Sequence, residues 1–360
     1  MPSASPKPDL RDLTAAQVQD LLVSLGEKPY RARQLLQWLY KHGAANWEEM
    51  TSLGKALRRR LAGAARLGRM EPVAVETSAD GTRKLLFRLE DGQAVESVLI
   101  PEAGHSTLCV SSQVGCKMGC AFCRTATLGF QRNLTPAEIM GQVLAARRMV
   151  AAERPLTNLV FMGMGEPLDN LDNLAVALSH ILGSHGLAMS QRKVTISTAG
   201  LVDKLPALAR ATPAALAVSL SAPDDKLRNR LMPINRRWSL AALKKALAAY
   251  PLKPTRRITF EYVLLGGVND RPEQAAALAA WLKGLPAKVN LIAFNPHPGA
   301  AFDPPAPEAV EAFQAELIAR HVTAIVRKSR GADISAACGQ LAAREAGGKG
   351  TGDGGGESNN

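Results

Sequence analysis

Negative charge is in short supply in this chain of 360 residues: 32 Asp and Glu face 44 Lys and Arg, for a formal charge of +12 and a pI near 9.7. That imbalance favours an anionic macromolecular partner. Cysteine is scarce as well, and its count of five is odd, which excludes a fully paired disulfide framework. No apolar run approaches the roughly 20 residues that cross a bilayer, so no membrane partner is expected. Residues 1–7 are rich in Pro and Ser and lack the apolar segment of a secretion signal; export is not expected, and the cytoplasm is. What is present is ordinary globular material, 46% hydrophobic and 21% charged, enough for one large domain with a buried core and a smaller one.

Residues 1–72 read as a small basic helical domain. Leu21, Leu22, Leu25, Leu35, Leu36, Leu39 and Leu57 recur at helical spacing, broken at Gly26, Pro29 and Gly43. Arg31, Arg33, Lys41, Arg58, Arg59 and Arg60 fit either a solvated helical face or an RNA-contacting accessory domain. Residues 73–105 read as a short antiparallel extension, with strand-like runs at 73–76, 83–89 and 94–100 separated by the turn dipeptides Asp80-Gly81 and Asp91-Gly92.

Residues 106–345 form the core. Apolar runs at 107–111, 159–162, 194–197, 216–220, 258–265 and 289–294 alternate with helix-length stretches such as 136–152 and 240–250. That alternation predicts βα units around a parallel sheet. Six units are too few to close an eight-stranded barrel, so the expected fold is α/β, a partial (βα)6 barrel, with a run at 322–326 extending the sheet edge. In such sheets chemistry collects at the C-terminal ends of the strands. Residues 346–360 are Gly-rich and polar, with nothing to bury, and are expected to be disordered.

Three of the five cysteines fall in CKMGCAFC at 116–123, directly after the first expected barrel strand. A cuboidal four-iron cluster takes four thiolates as a rule, so Cys116, Cys120 and Cys123 would leave one iron open to a chelating substrate. A zinc site short of one ligand and plain buried thiols are the other readings of the loop. Cys109 and Cys338, read alone, suit small apolar core filler. Gly165 and Glu166 suit a strand-to-helix turn as well as a ligand site in which backbone approaches closely and a carboxylate meets an ammonium group.

The loop resembles the radical S-adenosylmethionine (SAM) motif, and the resemblance extends further. SSQVGCKMGCAFCRTATLGFQRNLT from Ser111, FMGMGEP at 161–167, VTIST at 194–198, LMPIN at 231–235 and AACGQL at 336–341 resemble the RlmN-type RNA adenine methyltransferases, in family order. The resemblance implies a 4Fe–4S cluster on Cys116, Cys120 and Cys123, and SAM contacts at Gly165, Glu166, Ser197, Ser219, Leu220, Ser221 and Asn295. Ser221 stands where similar sequences commonly carry His. It further implies that Cys338 becomes S-methylated, that its methyl carbon is activated as a radical and added to the base, that Glu96 in VESV accepts the C2 proton, and that Cys109 resolves the covalent RNA adduct through a disulfide with Cys338.

The implied partners are 23S rRNA at the peptidyl-transferase centre, tRNA at the adenosine 3′ to the anticodon, and an electron donor such as flavodoxin. The target adenine would have to be unstacked to reach the site. A Cfr-type enzyme, which methylates C8 with the same machinery, is the nearest alternative; FNPHPG at 294–299 resembles the RlmN-type loop more closely. A non-catalytic iron–sulfur RNA-binding module would leave Gly165, Glu166 and Cys338 without purpose.

Overall fold

A computed structural model describes residues 7–343, so the tail expected to be disordered lies outside the described residues. Twelve strands are present among them: β1 (Ala74–Thr77), β2 (Arg83–Arg88), β3 (Ala94–Glu102), β4 (His105–Cys109), β5 (Gln113–Gly115), β6 (Phe130–Asn133), β7 (Leu156–Phe161), β8 (Val194–Thr198), β9 (Ala215–Ser219), β10 (Ile258–Leu264), β11 (Ala287–Ala293) and β12 (Ala324–Arg327). Ten of them form one open sheet in the order β1-β2-β3-β4-β7-β8-β9-β10-β11-β12. β1 to β4 pair antiparallel with one another, and every pairing in the sheet from β4 onward to β12 is parallel. The six expected parallel strands are all there, and the expected edge strand is β12.

The helices are α1 (Ala15–Ser24), α2 (Arg31–Gln37), α3 (Lys55–Ala64), α4 (Arg124–Thr127), α5 (Pro136–Met149), α6 (Leu171–Leu182), α7 (Leu205–Ala211), α8 (Asp225–Leu231), α9 (Leu240–Ala248), α10 (Pro272–Leu282) and α11 (Pro307–Ala319). Caps mark where several begin. Thr14 accepts from the Gln17 backbone N–H while Gln17 reaches back to Thr14, and Thr135 and Glu138 repeat the arrangement at the start of α5.

Alternation along the parallel strands explains the barrel. Leu159 and Phe161, Val194 and Ile196, Leu216 and Val218, Ile258 and Phe260, and Val289 and Leu291 are all buried. The outward set packs on the helices: Phe260 meets Trp281 of α10 edge-on at 5.7 Å, and Tyr262 lies 5.1 Å from Phe313 of α11. The intervening residues, among them Asn158, Val160, Thr195, Thr259, Glu261, Lys288 and Asn290, line a cavity of about 680 Å³. A buried parallel sheet ordinarily reads apolar on both faces. Here one face is polar, so it lines a chamber.

The extension at 73–105 turns where the dipeptides indicate. Asp80 accepts from the Thr82 N–H at 2.8 Å, and Asp91 from Gln93 at 3.0 Å. One element has no counterpart in the sequence reading: β5 and β6 form a separate two-stranded sheet that brackets the cysteine loop. The N-terminal helices dock on the outer helices of the barrel. Asp12 accepts from the Ala137 N–H at 2.8 Å, the Arg147 guanidinium donates to the Tyr40 carbonyl at 2.7 Å, and His180 Nε2 lies 2.8 Å from the Leu13 carbonyl.

Candidate active site

Cys116, Cys120 and Cys123 occupy the turn between β5 and α4. The turn closes at its base, where the Cys116 N–H donates to the Gly129 carbonyl at 3.0 Å. Gly115 permits this closure, since a Cβ there would fall on that carbonyl. All three thiols are half-buried. Burial, and after it the neighbouring thiols, push Cys120 well above the ordinary thiol range; burial pushes Cys116 up to about 12, with Glu166 and Cys123 adding to the rise, and Cys123 is raised by burial.

Three soft donors that ionise reluctantly by themselves are donors that ionise on metal binding. Among the described residues no three His, Cys, Asp or Glu side chains are arranged to hold a single metal ion. The donor set fits a cluster, whose separate irons each take one thiolate.

Cys338 arrives from the far end of the chain. Its loop is pinned at several points. Asp333 accepts from Ser78 Oγ at 2.6 Å and from the Ala79 N–H at 3.2 Å, and the Asp80 carboxylate accepts from the Gly331 N–H. Lys84 Nζ donates to the Ile334 carbonyl at 2.7 Å. The Arg124 N–H donates to the Gly339 carbonyl at 2.8 Å and Thr125 Oγ1 to the Leu341 carbonyl at 2.7 Å, which ties the loop directly to α4 behind the cysteine turn. Cys338, Cys109 and Cys123 therefore line one cavity, together with Asn295.

Cys338 is open to the cavity and so is not core filler. Protein atoms crowd its sulfur and, with the nearby Glu261 carboxylate, push the thiol up to about 11. Cys109, at the end of β4, is buried and its thiol is raised further, by burial first and then by Cys338.

The residues matched to SAM contacts sit at the C-terminal ends of β7, β8 and β9 and just beyond β11. Gly165 takes a left-handed backbone (φ 99°), and a Cβ there would press on Gln113. Both Glu166 oxygens are already engaged, one accepting from the Leu168 N–H at 3.0 Å and the other from Ala199 at 2.7 Å; burial pushes the carboxyl up to about 7. Ser197, one residue before the end of β8, is in phase with the cavity-lining Thr195, Ser219 ends β9 in register with Glu261, and Leu220 is fully buried. Ser221 is also fully buried, holds a left-handed backbone (φ 51°), and accepts through its hydroxyl from the Val263 N–H at 3.3 Å. The side chain at the position commonly held by His is thus turned to the β10 backbone.

Glu96 lies on β3 in phase with the cavity-lining Val98 and Ile100, and is buried. Its carboxylate accepts from the Ala342 N–H at 2.8 Å and lies 3.7 Å from Lys84 Nζ. The candidate base therefore touches the same loop that carries Cys338.

Two organising residues were missed in the sequence. Arg228 of α8 is fully buried and donates to the carbonyls of Ala199 (2.8 Å), Ser219 (3.1 Å) and Leu220 (3.2 Å) and to Asn235 Oδ1 (2.9 Å); burial holds its guanidinium down to about 10. Gln113 Oε1 accepts from the Glu166 N–H at 2.8 Å, while its amide donates to Asn133 and Asp169. Only Asn235, within LMPIN, left a trace of the first.

Residues 8–67 match the model of the ribosomal RNA large subunit methyltransferase N-terminal domain, and residues 110–279 that of the radical SAM superfamily. The dual-specificity RNA methyltransferase RlmN of Anaeromyxobacter dehalogenans is 55% identical, with 93% of this chain and 92% of the relative covered. RlmN of Geobacter sulfurreducens is 52% identical, covering 92% and 91%. The crystal structure of a radical SAM methyltransferase from Sphaerobacter thermophilus superposes with a TM-score of 0.88 at 45% identity, over 94% of this chain and all of that one.

Proposed function

The chain belongs to the RlmN family of radical SAM RNA methyltransferases, and from that premise we propose that it methylates C2 of adenosine in 23S rRNA, at the peptidyl-transferase centre, and in tRNA, at the adenosine 3′ to the anticodon. The observation that carries the reading is the convergence of Cys109, Cys123 and Cys338 on one chamber. When bound, the cluster and SAM supply a methyl group and a hydrogen-abstracting carbon radical.

Cys116, Cys120 and Cys123 would each give one thiolate to the cluster. Gly165, Glu166, Ser197, Ser219, Leu220, Ser221 and Asn295 would hold SAM. Because the Glu166 oxygens serve the Leu168 and Ala199 amides, that carboxylate fixes the strand-end loops as well as facing the ligand. The Cys338 sulfur takes up the methyl group, and the carbon it then carries forms the bond to C2. Glu96 receives the C2 proton; its Oε2 already accepts from the Ala342 N–H on the Cys338 loop, which leaves Oε1 for the proton. Attack of the Cys109 thiolate on the Cys338 sulfur forms an S–S bond as the S–C bond breaks. The released carbon keeps that electron pair and takes up a proton to become the 2-methyl group, and the one unpaired electron that radical addition leaves would return to the cluster.

The N-terminal helices would hold RNA by its phosphates. A flavodoxin-type donor would supply electrons, and the cytoplasm is the compartment where these RNAs and donors meet. Anaerobic reaction of the reconstituted enzyme with SAM and RNA fragments, followed by nucleoside analysis, tests the proposal: 2-methyladenosine is expected. 8-Methyladenosine would assign the Cfr-type reaction instead, and no methylated adenosine would end the reading.

A further inference from the structure

A second buried carboxylate faces the chamber and has no part in the chemistry above. Glu261 on β10 is only 6% exposed and lines the same cavity as Cys338. It is in register with Asn290 on β11 and with Ser219 on β9. Asn290 Nδ2 donates to Glu261 Oε1 at 2.9 Å. Among the described residues no other hydrogen bond reaches the carboxylate, and no ion pair does. Lys288 and Arg327, which also line the chamber, act on it only through space. A buried acid with one hydrogen bond and no ion pair is costly unless something else completes its partners.

We propose that Glu261, positioned by Asn290, accepts a hydrogen bond from the exocyclic 6-amino group of the target adenine and so selects adenine over 6-oxo purines. The inference rests on the adenine-methylation reading. An ionised carboxylate only accepts hydrogen bonds, and the 6-amino group is a donor on the adenine edge. One ring nitrogen separates C6 from C2, so an acceptor that lines the same chamber as Cys338, and whose charge reaches that thiol through space, is placed for the amino group when C2 faces the sulfur. Guanine and hypoxanthine would set a carbonyl oxygen against the carboxylate, leaving two desolvated acceptors opposed. Asn290 is a positioning residue, since its amide fixes one Glu261 oxygen and leaves the other for the base.

The test uses the reconstituted enzyme with SAM and RNA fragments carrying adenosine, inosine or purine riboside (hydrogen at C6) at the target position. Wild type should favour adenosine over purine riboside by about ten- to a hundredfold in kcat/KM, the range of a charge-assisted hydrogen bond. Glu261→Ala should bring that ratio close to one. Glu261→Gln, whose amide can turn a donor toward the base, should raise the rate on inosine relative to adenosine.

Iron content should stay at the wild-type level in both variants, and Cys338 methylation, read by intact-protein mass, should be no slower than wild type, because the Glu261 charge that raises that thiol is gone. A Glu261→Ala protein that has lost its iron would leave the Glu261→Gln inosine ratio as the deciding measurement. Undiminished adenosine preference in both variants, or no such preference in wild type, overturns the role of Glu261 and leaves adenine methylation standing. Absence of methylated product from wild type on adenosine itself would instead overturn the underlying reading.

Discussion

A thiol that acts as a nucleophile must first be a thiolate, and the residues of this chamber make that costly. Burial raises Cys109, and Cys338 is lifted to about 11. Both are therefore neutral at rest near pH 7, which protects them from chance oxidation. The sign of the pH dependence follows. The folded pKa of Cys109 lies above the unperturbed thiol value, so its reactive fraction grows by about tenfold per pH unit anywhere below that pKa. Single-turnover reactions quenched on denaturing gels should show the enzyme–RNA adduct decaying faster from pH 7 to pH 9. A decay rate independent of pH would rule out a protonated Cys109 as the resolving group. At this scale the sequence spoke clearly where chemistry dictates spacing, as in CKMGCAFC, and not where contacts create the role. Arg228 and Glu261 have no local pattern, and Gln113, although it stands inside the SSQVG run, shows nothing of its role there, because each is defined by partners on distant segments.

The element on which the proposal turns is the loop from Gly331 to Ala342, which carries Cys338. It is held by the β1–β2 turn at one end and by α4 at the other, so the same segment senses the extension, the cysteine turn and Glu96. Asp333 anchors it through Ser78 and the Ala79 amide. Asp333→Ala should loosen the loop without disturbing the cysteine turn. Iron content should stay at the wild-type level while hydrogen exchange across 331–342 rises and the rate of Cys338 methylation falls severalfold; unchanged exchange would show that the anchor does not hold the loop. Elements with strong alternation, such as β7 to β11, were legible as strands to within a few residues. The β5–β6 pair was not, because three and four residues around a ligand loop carry no apolar repeat. The polar chamber face was also hidden, since Thr259, Glu261, Lys288 and Asn290 read singly as interruptions of apolar strands.

For the whole molecule, the net charge of +12 is spread unevenly between internal use and free surface. In the N-terminal segment Arg60 pairs with Glu27, Arg31 lies within ion-pair distance of the same carboxylate, and Arg58 donates to the carbonyls of Trp47 and Glu48. Arg33, Lys41 and Arg59 are exposed and meet no acidic side chain among the described residues. If these three grip phosphates, replacing them with Gln together should lower the slope of log affinity against log salt by up to about two units, near 0.7 per single-strand contact. SAM cleavage in the absence of RNA should be unaffected, and an identical slope would remove the segment from RNA binding. Point variants are the right instrument, because deleting the segment would strip Asp12, Leu13 and Tyr40 from their contacts with α5 and α6. Composition showed the excess of positive charge, but which cations are free depended on tertiary pairing.

The central claim, that Cys338 carries the methyl carbon to RNA and Cys109 releases it, is tested most directly by comparing two variants in reactions with labelled RNA. Cys338→Ala should give neither methylated adenosine nor any protein–RNA band on a denaturing gel. Cys109→Ala should accumulate a stable band whose crosslinked peptide maps to Cys338. Turnover like wild type in both variants, or the absence of a band from Cys109→Ala, would contradict the account.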